Sequence, residues 1–142
     1  MYLDTAILVK LFVPEADSDF FAQMVDGQNV SSSALAHTEF FSALLGKERS
    51  GDIDPKQRLQ AWASFERSVE EETIQLEPFT PAIFKRANRI LAHCHPKVAL
   101  RSLDALHLAT CDHLQDWPLC TTDSRMRQAA AWLRFPLGEV AS

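Results

Sequence analysis

The sequence predicts an α/β domain with a mainly parallel sheet of about five short strands covered on both faces, and three observations predict it. Short strand-like segments alternate along the chain with segments, single or paired, whose apolar residues recur at helical spacing. Asp, Ser, Thr and Pro, the residues that cap helices and make turns, fall at the joins. The length of 142 residues, 46% apolar and 23% charged, suits one domain over residues 1–142 that buries a core without disulfide or metal staples.

Met1-Tyr2-Leu3 reads as the first strand, Asp4-Thr5 as the turn after it, and residues 6–13 as a short helix ending at Pro14. Asp17 or Ser18 caps a second helix carrying Phe20, Phe21, Met24 and Val25, closed by Asp26-Gly27. Residues 28–31 form the second strand. Ser32 or Ser33 then caps a helix running to Arg49, in which Phe40/Leu44 and Phe41/Leu45 pair at four-residue spacing and Glu39 sits in the second turn. Pro55 opens the next helix, with Leu59, Trp62 and Val69 along one face. After the acidic run Glu70-Glu71-Glu72, residues 74–79 make a strand. Thr80-Pro81 starts a helix bearing Ile83, Ala87, Ile90, Leu91 and Cys94, which His95-Pro96 stops. Ser102 caps a helix with Leu103, Leu106, Ala109, Thr110 and Leu114. Residues 118–121 read as a buried strand, 124–133 as a helix and 137–140 as a last short strand.

Every apolar run is broken well short of the ~20 residues of a membrane span, and Met1 leads into a strand instead of a signal peptide. The expectation is a cytoplasmic protein with no membrane partner. Cys94, Cys111 and Cys120 make no Cys-x-x-Cys pair and read as reduced, mostly buried thiols. The net charge of −5 is unevenly spread: residues 1–78 carry −8 and residues 79–142 carry +3. The bases gather in the half where a phosphate ligand would need them.

In a parallel sheet, ligands collect beyond the carboxyl ends of the strands. Asp4 and Asp123 follow predicted strands directly, and Asp104 and Glu39 lie in the opening turns of helices, all four among apolar neighbours. Carboxylates sharing a cleft repel one another unless they take up protons or a cation. Oxygen-only donors select a hard ion, Mg²⁺ or Mn²⁺. Such a site hydrolyses phosphodiester bonds with metal-activated water and needs neither a histidine base nor a covalent nucleophile. The hydroxyls of Thr5 and Thr121 would brace the ligands by hydrogen bonds. The alternative reading makes Asp4 and Asp123 plain N-caps and Asp104 a first-turn acid complementing the helix dipole. Glu39 fits that alternative least, because it lies past the cap with no local partner.

Met1-Tyr2-Leu3-Asp4-Thr5-Ala6, Glu39 after Ser33-Ala34-Leu35-Ala36, Leu100-Arg101-Ser102-Leu103-Asp104-Ala105-Leu106-His107-Leu108-Ala109 and Thr121-Thr122-Asp123 together resemble PIN-domain proteins of the VapC toxin type. The Leu-Asp-Ala-Leu-His-Leu-Ala string is the most specific part, and the order covers nearly the whole chain. The resemblance implies a PIN-like α/β/α sandwich and an Mg²⁺- or Mn²⁺-dependent endoribonuclease that is the toxin of a toxin–antitoxin pair. It further implies a homodimer, a cognate antitoxin and an RNA substrate. It assigns the metal site to Asp4, Glu39, Asp104 and Asp123, with support from Thr121. Ala6 departs from relatives that often carry Ser or Asn there.

Other readings weigh less. A haloacid-dehalogenase-type phosphatase needs a second Asp where Ala6 stands, and Asp52 and Asp54 flank a loop where a response regulator needs a strand-end acceptor. A zinc module would use His93-Cys94-His95 or His107, Cys111 and His113, without a Cys-x₂-Cys or His-x₃-His anchor. A catalytically idle PIN-like scaffold that binds only a partner stays open. Arg101, Arg125, Arg127 and Lys97 are candidates for RNA-backbone contacts, with Lys85, Arg86 and Arg89 read equally as a solvated helix face. Phe12, Phe20, Phe21, Phe40, Phe41 and Trp62 read mainly as core, His107 as a packed or hydrogen-bonded residue.

Overall fold

A computed structural model describes all of residues 1–142. Four strands, β1 (Tyr2–Leu3), β2 (Val30–Ser33), β3 (Ile74–Glu77) and β4 (Leu119–Cys120), form one sheet in the order β3-β2-β1-β4. All neighbours are parallel. Seven helices cover it: α1 (Thr5–Phe12), α2 (Ser18–Val25), α3 (Leu35–Arg49), α4 (Pro55–Glu70), α5 (Pro81–Cys94), α6 (Ser102–Leu114) and α7 (Ser124–Trp132). None is long and apolar enough to cross a membrane.

The two-residue period of a strand sends neighbouring side chains to opposite faces, and β1 shows it. Leu3 joins a core with Phe21, Phe40, Leu44, Phe65 and Ile74 on the side of α1–α4, while Tyr2 joins one with Ile83, Ile90, Leu108, Leu119 and Met126 on the side of α5–α7. On the first side Phe40 stacks on Phe65 at 4.1 Å between centroids, with Phe12 edge-on to both. Each such buried side chain contributes roughly 1.5–3 kcal/mol over leaving it in water. Of the predicted aromatic set, Phe21 and Phe40 are core and Phe41 is the most open. All three cysteines are free and buried, as expected.

The caps follow the sequence at most joins. Thr80 accepts from the Ile83 amide at 3.3 Å ahead of Pro81. Asp54 and Gln57 exchange two 2.8 Å bonds ahead of the helix that Pro55 opens, a reciprocal box that the reading from Pro55 alone overlooks.

Three expectations need correction. The sheet has four strands and not five: residue 137 makes a single parallel bridge to Leu119. Pro136, which has no N–H, precedes it, and Gly138 follows so close to β4 that a β-carbon there would lie 2.7 Å from Cys120 Sγ. The second strand runs two residues later than predicted, because Ser32 and Ser33 are buried sheet residues: the Ser32 hydroxyl donates to the Leu3 carbonyl at 2.7 Å. The cap of α3 is therefore Ala34, with the Ser33 hydroxyl accepting from the Leu35 amide. Ser102 is likewise inside α6 and does not cap it; Arg101 holds the cap position without a side-chain bond.

The chain order reverses between β1 and β4, since β2 and β3 lie to one side of β1 and β4 to the other. That switch point opens a crevice beyond the carboxyl ends of the two strands.

Candidate functional site

Asp4 and Asp123 stand at that crevice because Asp4 directly follows β1, Asp123 lies three residues beyond β4, and each, in extended backbone, caps the helix that follows. Asp4 Oδ1 accepts from the Ile7 amide at 3.0 Å, and Asp123 Oδ1 accepts from the Met126 amide at 2.8 Å. The capping alternative is thus true of both, and it uses one oxygen of each. The second oxygens remain for other work.

Thr121 ties the two together. Its hydroxyl donates to Asp4 Oδ2 and accepts from the Asp123 amide at 3.0 Å. Asp4 is buried, 4% exposed, and that burial pushes its carboxyl above the ordinary value of 3.8 despite the Thr121 and Ile7 bonds; the nearby Asp123 charge pushes the same way. Taking a proton or a cation relieves the same penalty.

Glu39, in the second turn of α3, is braced from the other side. Its Oε1 accepts from the Thr5 hydroxyl and from His107 Nε2, both at 2.7 Å. Facing a carboxylate, Nε2 carries the proton; in the neutral ring, Nδ1 then accepts from the Tyr2 hydroxyl at 2.8 Å. Burial alone would raise the Glu39 carboxyl, but the His107 and Thr5 hydrogen bonds and the His107 charge outweigh it and hold it below the ordinary value of 4.5. His107 is a hydrogen-bonded core residue, as read, and the partner that Glu39 lacks locally. The sequence signals only its place near the site, three residues after Asp104 on one face of a helix, and not its partner Glu39.

Asp104, in the first turn of α6, accepts from Arg101 Nε at 3.1 Å, and Arg101 Nη2 lies 3.7 Å from Asp123 Oδ2. Glu39, Arg101, Ser102, Leu103 and Asp104 line a cleft of ≈ 550 Å³. All four predicted carboxylates thus belong to one connected arrangement: Asp104 through Arg101 to Asp123, on through Thr121 to Asp4, and through the adjoining Thr5 to Glu39. Ala6 is exposed at the start of α1 and adds no polar group to it.

The cations divide. Arg101, Arg125 and Lys97 are exposed. Arg127 turns inward, its Nη1 donating to the carbonyls of Thr121 at 3.0 Å and Gly138 at 3.2 Å, so it ties the C-terminal segment to the site turn. Arg86 pairs with Asp112 at 2.5 Å.

As a donor set, four carboxylates suit a hard divalent ion. They do not form a ready cage: no three His, Cys, Asp or Glu side chains meet around one point. The zinc module fails by the same measure, with His107 and Cys111 both buried and His107 committed to Glu39 and Tyr2.

The PIN domain family model matches residues 1–131. Ribonuclease VapC46 of Mycobacterium tuberculosis is 35% identical over 137 residues, spanning 94% of this chain and 92% of that protein. Ribonuclease VapC35 of the same species is 30% identical over 145 residues, spanning 92% and 89%. Among solved structures, a toxin-antitoxin complex from Klebsiella pneumoniae superposes with a TM-score of 0.56 at 17% identity, covering 87% of both chains, a likeness of fold. With the family match spanning both ends of the acidic network and two relatives at 30% identity or above, the chain belongs to the PIN-domain family, among its VapC-type members.

Proposed function

We propose that this chain is an endoribonuclease dependent on Mg²⁺ or Mn²⁺, and the toxin of a toxin–antitoxin pair acting in the cytoplasm as a homodimer. The observation that carries the reading is the joining of four carboxylates, from segments remote in sequence, at the switch point of the sheet. Asp4, Glu39, Asp104 and Asp123 would hold the cation. When bound, it supplies a water nucleophile at neutral pH and charge neutralisation at the phosphate.

The rest falls to the chain's own side chains. His107 and Thr5 keep Glu39 ionised and aimed. Thr121 and the Ile7 amide fix Asp4 while leaving it a burial penalty that favours a cation over an empty anion. Arg101, Arg125 and Lys97, all exposed, would contact RNA phosphates, whereas Arg127 is committed to carbonyls. Names of the relatives support RNA as substrate, and the Klebsiella complex supports an antitoxin partner.

The idle-scaffold reading draws on the open arrangement of the acids. One assay separates the two: cleavage of a labelled RNA by the purified chain with Mg²⁺ or Mn²⁺, with EDTA, and in Asp104→Asn. Activity is expected only with metal, and a fall of at least about 100-fold in the variant, beyond the ~10–100-fold typical of losing an outer partner of a metal site. Cleavage that survives EDTA, or is absent under all conditions, overturns the proposal.

A further inference from the structure

Arg101 is placed unlike any other cation in the molecule. Its Nε lies 3.1 Å from Asp104 Oδ2 and its Nη2 3.7 Å from Asp123 Oδ2, so one guanidinium spans acids from two elements, α6 and the cap of α7. Its backbone is pinned, with its carbonyl accepting from the Ala105 amide at 3.0 Å, but its side chain is 64% exposed at the lip of the cleft. It has no partners besides these two acids, in contrast to Arg127, which two carbonyls hold.

We propose that Arg101 is the tethered counter-ion of the metal-free site, that a divalent cation displaces it, and that the freed guanidinium then anchors a phosphate of the nucleic acid. The inference rests on the metal-dependent reading above and deepens it. The guanidinium contacts Oδ2 of both acids, atoms that would serve a metal. A divalent ion at its usual ~2.0–2.1 Å from such an oxygen would stand against a like charge at hydrogen-bond distance. The weaker, more exposed cation gives way, because water screens an exposed ion pair and leaves it little net attraction. Once released, the fork keeps five N–H donors and no acceptor, a geometry that matches phosphate oxygens in pairs. Metal uptake therefore presents the cation that receives the substrate, and the chain binds RNA backbone at this point only when it is ready to cut.

Mn²⁺ binding to the full chain, read by the electron paramagnetic resonance of free Mn²⁺, tests the displacement. Arg101→Gln is expected to bind Mn²⁺ about two- to fivefold more tightly than the unaltered chain, the range that an exposed pair allows. Arg67→Gln, which removes the same charge from an exposed site on α4, is expected to change it by less than about twofold. Equal affinity in Arg101→Gln, or the same gain in Arg67→Gln, overturns the inference and leaves the metal reading standing. Failure of the unaltered chain to take up Mn²⁺ overturns both. Adenosine 5′-monophosphate, which offers a phosphate but no cleavable diester, tests the anchor by calorimetry. The strengthening of its binding by Mn²⁺ should be at least about threefold smaller in Arg101→Gln, and an identical gain in both proteins overturns the anchor.

Discussion

The inner carboxylates, Asp4 and Glu39, and the outer pair, Asp104 and Asp123, are held by opposite means. The inner two are gripped by groups that belong to the fold: a backbone amide, two threonine hydroxyls and a histidine whose other nitrogen meets a tyrosine. The outer two share one exposed arginine, and beyond it only Asp123 has a partner from the fold, the Met126 amide on its Oδ1. The difference separates stability from exchange. Removing an inner partner strands a buried polar group, which costs folding free energy, whereas removing the outer partner leaves two acids that water can still solvate.

The largest expected effect is on chemistry at the inner pair. Asp4→Asn should lower RNA cleavage at least about 100-fold while keeping the helix cap, since Asn caps as well as Asp; Asp4→Ala should lose about 1 kcal/mol of stability besides. Cleavage rates and urea midpoints on the same preparations distinguish them. Next comes Thr121→Val, which unpairs Asp4 Oδ2 and the Asp123 amide together; a loss of roughly 1–3 kcal/mol in urea unfolding is expected.

A third prediction uses the opposite displacements of the two inner acids. Asp4 is raised, so the folded chain holds that proton more tightly than the unfolded one; its contribution is complete below 3.8 and is lost as pH rises through the raised value. Glu39 is lowered, so its contribution is complete above 4.5 and is lost as pH falls through the lowered value. In EDTA, the stability of Asp4→Asn relative to the unaltered chain should therefore improve as pH rises above 3.8. The deficit of Glu39→Gln should widen as pH rises towards 4.5. Thermal midpoints across that series check both signs, and parallel slopes would contradict them. The smallest effect belongs to the outer pair: Arg101→Gln should leave the urea midpoint of unfolding unchanged, because the side chain is mostly in water.

What could be read from the sequence follows the same division between local and distant causes. The helices of Pro55 and Pro81, the caps at Asp4 and Asp123 and the alternation of elements are local patterns, and they stand. The four acids were legible because each sits among apolar residues where a lone charge is costly. β2 was misplaced because Ser32 and Ser33 look like cap residues until a neighbouring strand offers their hydroxyls a backbone partner. The contacts of His107 with Glu39 and Tyr2 span 68 and 105 positions, and no periodicity encodes such distances. Arg127 read as a phosphate ligand because charge is visible in a sequence and the carbonyls that consume it are not.

Gly138 carries a consequence that reaches well beyond the tail. Because the tail backbone lies directly against Cys120, a β-carbon at this position would press on Cys120 Sγ and force that thiol to turn. Thr121, whose hydroxyl steadies Asp4, follows Cys120 directly. The packing beside the acidic centre is thus completed from outside it, by an absent methyl group near the far end of the polypeptide.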